Sequence, residues 1–421
     1  MQARKSSRQV LRSQRAVAVS EKLKEFKAPR IQEIRKTGNK QQVRQKLRFG
    51  LVGGGEGAFI GQVHRMAAEL DGLARLVCGA FSSDPQRSRR SGPEIYRLPE
   101  ARCYGSYVEM FDVERALPED ERMQFVIIAT PNHVHFPVAV AALDAGFHVM
   151  CDKPVTYDLE QALALEQKVA ESGLTFGLTH NYTGYPMVRE ARELVASGVL
   201  GAIRRVNCEY LQGWLATDQA GNKQAEWRTD PAQSGMAGCF GDIGSHGENL
   251  VEYITGLRVS QLCADLTTFV PGRQLEDDGN VLLRFAGGAK GVISASQIAV
   301  GKENDLRIQV YGERGGLTWL QTEPNSLILH WPDRSTEIRR TGVHTTEAAN
   351  LATRIPAGHP EGYLEAFAQL YRDFCSSLTG EGESGGFPTI GDGVRGMRFI
   401  ERVVSSSQAG GTWLDMGNSD Q

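Results

Sequence analysis

Apolar and polar positions change rhythm about halfway along this chain. In the first half, short apolar runs alternate with stretches of helical period. Leu47 to Val52, Leu76 to Phe81, Phe125 to Thr130, His148 to Cys151 and Thr175 to Leu178 are the runs; His64 to Leu70, Val138 to Ala145 and Leu159 to Ala170 have the helical spacing, the last two closed by Gly146 and Gly173. The run at Phe125 is apolar throughout, as a strand buried on both faces of a parallel sheet must be. The alternation predicts an α/β Rossmann domain, a doubly wound parallel sheet, over residues 47–180. From Arg204 the segments become short and β-rich, separated by Gly or Pro turns: Arg204 to Tyr210, Gln261 to Phe269, Asn280 to Phe285, Lys290 to Ile298, Asp305 to Tyr311 and Gly316 to Gln321. They predict a C-terminal α+β domain over 181–421 with a large, open, mainly antiparallel sheet. Its uncovered face suits a second subunit, so this domain is expected to bind substrate and to build a homodimer or homotetramer.

Composition narrows the class. No stretch approaches the ~18 uninterrupted apolar residues of a membrane span, and the first residues lack a secretory core, so a cytoplasmic protein without membrane partners is expected. The seven cysteines form no close pair and no CxxC, which fits reduced thiols, and the nine histidines form no HExxH, so no metal is called for. Residues 1–46 hold fourteen Lys/Arg against three Glu, a net of +11, which against the whole-chain charge of −3 leaves the remainder at −14. This is a basic N-terminal extension on an acidic body. With one aromatic residue, Phe26, and no recognisable nucleic-acid module, it reads as a solvated arm or a cover for an acidic neighbour, and nucleic acid is not an expected partner.

The run from Val52 through Gly53, Gly54, Gly55, Glu56, Gly57, Ala58, Phe59, Ile60 and Gly61 follows the first strand and precedes a helix. Glycines there permit a tight turn and close backbone approach, while the helix N-terminus offers free N–H groups to a pyrophosphate. Gly53, Gly55, Phe59 and Ile60 are the positions expected against a dinucleotide. An NAD-specific site places an acid at the end of the second strand to accept from the ribose hydroxyls; this chain has Ser82 and Ser83 there, with Arg87 close behind. A 2′-phosphate is then not repelled and an arginine is near to hold it, so the cofactor is expected to be NAD(P), with NADP slightly favoured.

Two further motifs carry chemistry: Asp152-Lys153-Pro154 after the fourth strand, and Gly241-Asp242-Ile243-Gly244-Ser245-His246. A lysine ammonium stabilises an alkoxide, and a histidine exchanges a proton near neutrality. Asp242 and His246 are four apart, which puts them on one face if the segment is helical. With Thr130-Pro131-Asn132 and His135 after the third strand, these elements resemble the Gfo/Idh/MocA family of nicotinamide-dependent sugar and inositol oxidoreductases, from about Leu47 to Phe399. The resemblance implies that Lys153 stands near the reacting hydroxyl and the cofactor, that His246 takes or gives its proton, and that Asp242 binds or holds the substrate. It further implies that Thr130, Pro131, Asn132, His135 and Asp152 face the nicotinamide side and that Asn181 and Tyr182 line the cleft. Trp214, Trp227 and Arg228 are candidates for the floor of a sugar site, since aromatic faces pack on a pyranose and Arg binds hydroxyls. Three residues more than the family's usual spacing separate Gly55 from Ile60-Gly61, and Asp152 and Asn249 stand where the family commonly has acids, a Glu in the first case.

The expected activity is an NAD(P)-dependent oxidoreductase acting on a secondary alcohol or ketone of a sugar, inositol or related polyol. The alternatives are a non-catalytic nicotinamide-binding regulator, which the intact Lys153, Asp242 and His246 argue against, and a reductase of a non-carbohydrate carbonyl or dihydrodiol, for which the same proton machinery would serve.

Overall fold

The computed structural model describes residues 45–219, 221–380 and 386–417, so the basic segment 1–46 lies outside the described residues except for its last two. The apolar runs of the first half form β1 (Leu47–Gly53), β2 (Ala74–Ala80), β3 (Phe125–Ala129), β4 (His148–Cys151) and β5 (Phe176–Leu178), joined by α1 (Ile60–Leu70), α2 (Pro85–Ser91), α3 (Tyr107–Ala116), α4 (Asn132–Asp144) and α5 (Leu159–Ser172). The strands pair in parallel in the order β2-β1-β3-β4-β5. Every residue of β3 is buried, as its unbroken apolar run requires. The strand order reverses between β1 and β3, and such a reversal opens a crevice at the carboxyl ends of the strands, where Gly53 and Thr130 stand. Helix α1 starts four residues before the His64 expected, because Ile60 and Gly61 already belong to its first turn.

The second half contains α6 (Pro186–Ala196), β6 (Ile203–Leu211), α7 (Lys223–Thr229), α8 (Pro231–Ser234), α9 (Ser245–Thr255), β7 (Val259–Thr267), β8 (Asp278–Phe285), β9 (Lys290–Ser296), β10 (Asp305–Gly312), β11 (Gly316–Leu320), β12 (Ser326–His330), β13 (Glu337–Arg340), α10 (Glu347–Ala352), α11 (Tyr363–Thr379), α12 (Ile390–Gln408) and β14 (Leu414–Asp415). Its nine strands run in the order β13-β12-β11-β10-β6-β9-β8-β7-β14 and are antiparallel except for the β6–β9 pair. The alternation along β6, β8 and β10 buries Val206, Cys208, Val281, Leu283, Ile308 and Val310 in a core with Met187 and Ala191 of α6 and Leu250 and Val251 of α9. Alternate residues such as Glu209, Asn280 and Leu282 are exposed on the opposite face.

The sequence pattern did not reveal what covers the first sheet. Phe374 of α11 meets Phe125 of β3 edge-on at 5.3 Å, Phe125 stacks on Phe49 of β1 at 5.4 Å, and Tyr371 of α11 bonds His64 of α1. Helix α12 contributes Val394, Met397, Ile400 and Val404 to the core on the other face, with Val149 of β4 and Leu165 of α5. Two helices from the chain's far end therefore complete the first layer. Among the described residues no helix is long and apolar enough to cross a membrane, and none of the seven cysteines is joined in a disulfide.

Candidate active site

The glycine turn is built so that side chains cannot enter it. A Cβ on Gly53, whose φ is +93°, would lie 2.2 Å from the Ala129 carbonyl oxygen, and one on Gly55 would lie 2.5 Å from that of Phe81. A Cβ on Gly61 would press on the Gly54 Cα at 2.4 Å, so the turn and the first turn of α1 touch backbone to backbone. Tyr96 braces the turn by donating to the Gly54 carbonyl at 2.6 Å. Phe59 is exposed and precedes the helix without a side-chain cap, leaving the first N–H groups of α1 facing the turn. The three additional residues, Glu56 to Ala58, reach across to α7: Lys223 donates to the Glu56 carbonyl at 3.0 Å.

At the end of β2, Ser82 is half-buried and Ser83 exposed, and Asp84 caps α2 by accepting from the Arg87 N–H at 2.7 Å. The exposed Arg87 side chain has no bonded partner among the described residues, whereas Arg89 pairs with Glu109 and Arg90 with Glu56 and Glu94. At the end of β3, the buried Thr130 Oγ1 and Asn132 Oδ1 have no hydrogen-bond partner, although Asn132 Nδ2 donates to Ser234 at 2.8 Å. A turn without room for Cβ atoms, open N–H groups and two orphaned polar atoms around one crevice fit a nicotinamide dinucleotide.

His135 does not join them. Its Nδ1 and Nε2 lie 2.8 and 2.9 Å from the carbonyls of Pro154 and Thr130, and it is wholly buried. Burial pushes its pKa down, and the ring is enclosed between the Thr130 and Pro154 loops with a carbonyl at each nitrogen, so it presents no atom to a ligand.

Lys153, directly after β4, is held from the second half of the chain. Its ammonium donates to the carboxylate Oδ1 and to the main-chain oxygen of Asp242, both at 2.7 Å. Two of its three N–H donors are thereby engaged and one is left. The other carboxylate oxygen of Asp242 accepts from Arg228 Nε at 3.1 Å and Gln297 Nε2 at 3.0 Å. Burial alone would raise the Asp242 pKa, but Lys153 and Arg228 outweigh it and hold the carboxyl below the usual range. Asp152 behaves alike. Its Oδ1 accepts from the Lys153 N–H at 2.9 Å and from Thr179 at 2.8 Å, its Oδ2 lies 3.7 Å from His64 Nε2, and against the effect of burial His64 and Lys153 keep it ionised.

Asp242 and His246 do not share an α-helix. Residues Phe240–Gly244 form a π turn that runs into α9 at Ser245. The strap before the turn is anchored by Glu276, whose carboxylate accepts from the Gly238 and Phe240 N–H groups and whose pKa burial raises to about 7. The wider turn sends Asp242 toward Lys153 and leaves His246 packed edge-on against Tyr182 at 4.9 Å and His180 at 5.3 Å. Burial, then Lys153, pushes His246 well below the ordinary histidine range, so its ring is neutral.

Of the remaining expected residues, Asn181 is buried with an unpartnered Nδ2, while the Tyr182 hydroxyl is engaged with that of Tyr210 at 2.5 Å. Arg228 lies over the Trp227 ring at 4.2 Å and 6.0 Å from that of Trp214, so the aromatic pair grips the guanidinium aimed at Asp242. Asn249 lines a separate groove with Arg192, Thr389 and Arg395. Sequence reasoning missed His180, Thr179 and Gln297. The first two stand at the carboxyl end of a parallel strand, a position that marks ligand sites, but Gln297 had no signal.

Residues 47–180 match a family model described as "Oxidoreductase family, NAD-binding Rossmann fold", and residues 188–318 match the "GFO/IDH/MocA C-terminal domain". The chain is 31% identical over 386 residues to the uncharacterized oxidoreductase YfiI of Bacillus subtilis, covering 89% of this chain and 98% of the relative. It is 27% identical over 409 residues to levoglucosan dehydrogenase of Pseudarthrobacter phenanthrenivorans, covering 88% and 98%. Among solved structures, an inositol dehydrogenase homolog from Azotobacter vinelandii complexed with NAD+ superposes with a TM-score of 0.85 at 35% identity, covering 89% of this chain and 98% of that one. An inositol dehydrogenase homolog from Azotobacter vinelandii complexed with NADH and myo-inositol superposes with a TM-score of 0.82 at 35% identity, covering 88% of this chain and 98% of that one.

Proposed function

The chain belongs to the GFO/IDH/MocA oxidoreductases, and on that premise we propose that it moves hydride between a nicotinamide dinucleotide and a secondary alcohol or ketone carbon of a sugar, inositol or related polyol. The observation that carries this reading is the Lys153 ammonium, fixed by Asp242 with one N–H left over, in a cleft shared with a neutral His246. When bound, the dinucleotide supplies the hydride acceptor or donor. His246 takes the hydroxyl proton on Nε2, which has no partner among the described residues, and Lys153 donates to the oxygen as negative charge develops. Asp242 acts on Lys153 more than on substrate, because three of the roughly four acceptor sites of its carboxylate are taken by Lys153, Arg228 and Gln297.

Gly53, Gly55 and the start of α1 would hold the pyrophosphate, with Thr130, Pro131, Asn132 and Asp152 on the nicotinamide side. Ser82 and the uncommitted Arg87 leave the ribose 2′ position open to phosphate, so NADP is taken as well as NAD and is slightly favoured. The substrate class is supported by the myo-inositol and levoglucosan in the names of two similar proteins, both ring polyols. The test is turnover on a panel of inositols, aldoses and anhydrosugars. Lys153→Ala and His246→Ala are each expected to lower kcat by about 10²–10⁴-fold with dinucleotide affinity nearly unchanged. Parental kcat in both variants would refute the assignment.

A further inference from the structure

His180 has no part in the reading above, yet its ring meets that of His246 edge-on, with the two Nδ1 atoms 3.4 Å apart. We propose that His180 is a positioning residue that holds His246 in the Nδ1–H tautomer and so leaves Nε2 bare for the substrate hydroxyl. This rests on the reading that His246 moves that proton.

Both rings are buried and neutral: burial, then the Lys153 ammonium, pushes each below the ordinary range, His180 to about 3. A neutral imidazole carries one N–H and one lone pair. Two facing lone pairs repel, as do two facing N–H groups, so the Nδ1 contact is satisfied only with one proton between them. If His180 supplies it, the His246 proton sits on Nε2 and that atom cannot accept another. If His246 supplies it, Nε2 is the open acceptor that alcohol oxidation needs. His180 Nδ1 is the sole hydrogen-bond partner of His246 Nδ1 among the described residues; Tyr182 and Tyr210 offer that ring edges and faces. The 3.4 Å separation is at the long end for a hydrogen bond, as catalytic contacts often are before substrate binds.

The His180 main chain is well fixed for this task. Its carbonyl accepts from both Oγ1 and N–H of Thr183 at 2.9 and 3.2 Å, and its own N–H donates to Leu178 at 3.1 Å. The charged groups around the pair are Lys153 and Asp152 beside His180, joined by Asp242 beside His246. During oxidation the hydroxyl proton ends on His246 Nε2. The Nδ1–H then points at His180 and steadies the imidazolium without leaving it, and the tautomer selected beforehand is the one that reaction requires.

The test uses the full chain labelled with 15N-histidine, with His246→Gln identifying the His246 signals. The expected result at neutral pH is Nδ1–H in the parent and in His180→Asn, whose amide oxygen also accepts, and predominantly Nε2–H in His180→Leu. With NAD+ and myo-inositol as probes, His180→Leu should lose about 10–100-fold in kcat while KM changes less than about threefold, with recovery in His180→Asn. A parent spectrum showing His246 as Nε2–H overturns the proposal without any variant, and an unchanged tautomer in His180→Leu also overturns it. If the tautomer follows His180 while His246→Ala keeps parental turnover, the positioning stands and the proton-transfer reading falls.

Discussion

A neutral His246 at rest has a consequence for pH. With its pKa held down by burial and Lys153, protonation, which removes its capacity to accept, occurs only well below the ordinary histidine value of about 6.5. The acid limb of kcat/KM is therefore expected below that value, with activity lost as pH falls through it; a limb at or above it would show that another group carries the proton. At the cofactor end, Ser82→Asp is expected to raise the NAD to NADP efficiency ratio by tenfold or more, about 1.4 kcal/mol or above, through repulsion of the 2′-phosphate. An unaltered ratio would place selectivity elsewhere. Lys153, Asp242 and His246 were legible in the sequence because each lies in a short contiguous motif. Their partners were not: Arg228 and Gln297 meet on one carboxylate from positions 69 residues apart in the chain, and no local pattern encodes that meeting.

Among the elements, the glycine turn and the π turn are the two that shape the cleft. Gly53 must be at positive φ and within van der Waals reach of β3, so Gly53→Ala is expected to cost about 1–3 kcal/mol in denaturant unfolding and to weaken dinucleotide binding together with it. Unchanged stability would mean that the turn relaxes. The strands of the first half were readable because burial on both faces leaves an unbroken apolar run. The π turn at Phe240–Gly244 was not, since one added residue in a helical turn leaves no periodic trace, yet it separates the directions of Asp242 and His246. Such turns recur at functional sites because they re-aim a side chain without ending the helix.

For the whole molecule, residues 47–180 carry the dinucleotide-binding family match but not a closed core. One face of the sheet, with Phe49 and Phe125, is covered in part by α11, and the other in part by α12. A protein cut to residues 46–185 is expected to lack a cooperative thermal transition and to bind a hydrophobic dye. A sharp transition with dinucleotide affinity close to that of the full chain would show that α11 and α12 are dispensable.

Periodicity and motif order, both local properties of the chain, determined the parallel and antiparallel halves, the glycine turn and the motifs that hold Lys153, Asp242 and His246. The tertiary structure alone decided which helices close the first sheet, that His135 is a structural tie, that Trp214 and Trp227 grip Arg228, and that His180 stands against His246. The helices that close the sheet and the His180–His246 contact join residues far apart in sequence, and even where the partners are near neighbours, as Trp227 and Arg228 are, packing sets the outcome and the residue types by themselves do not.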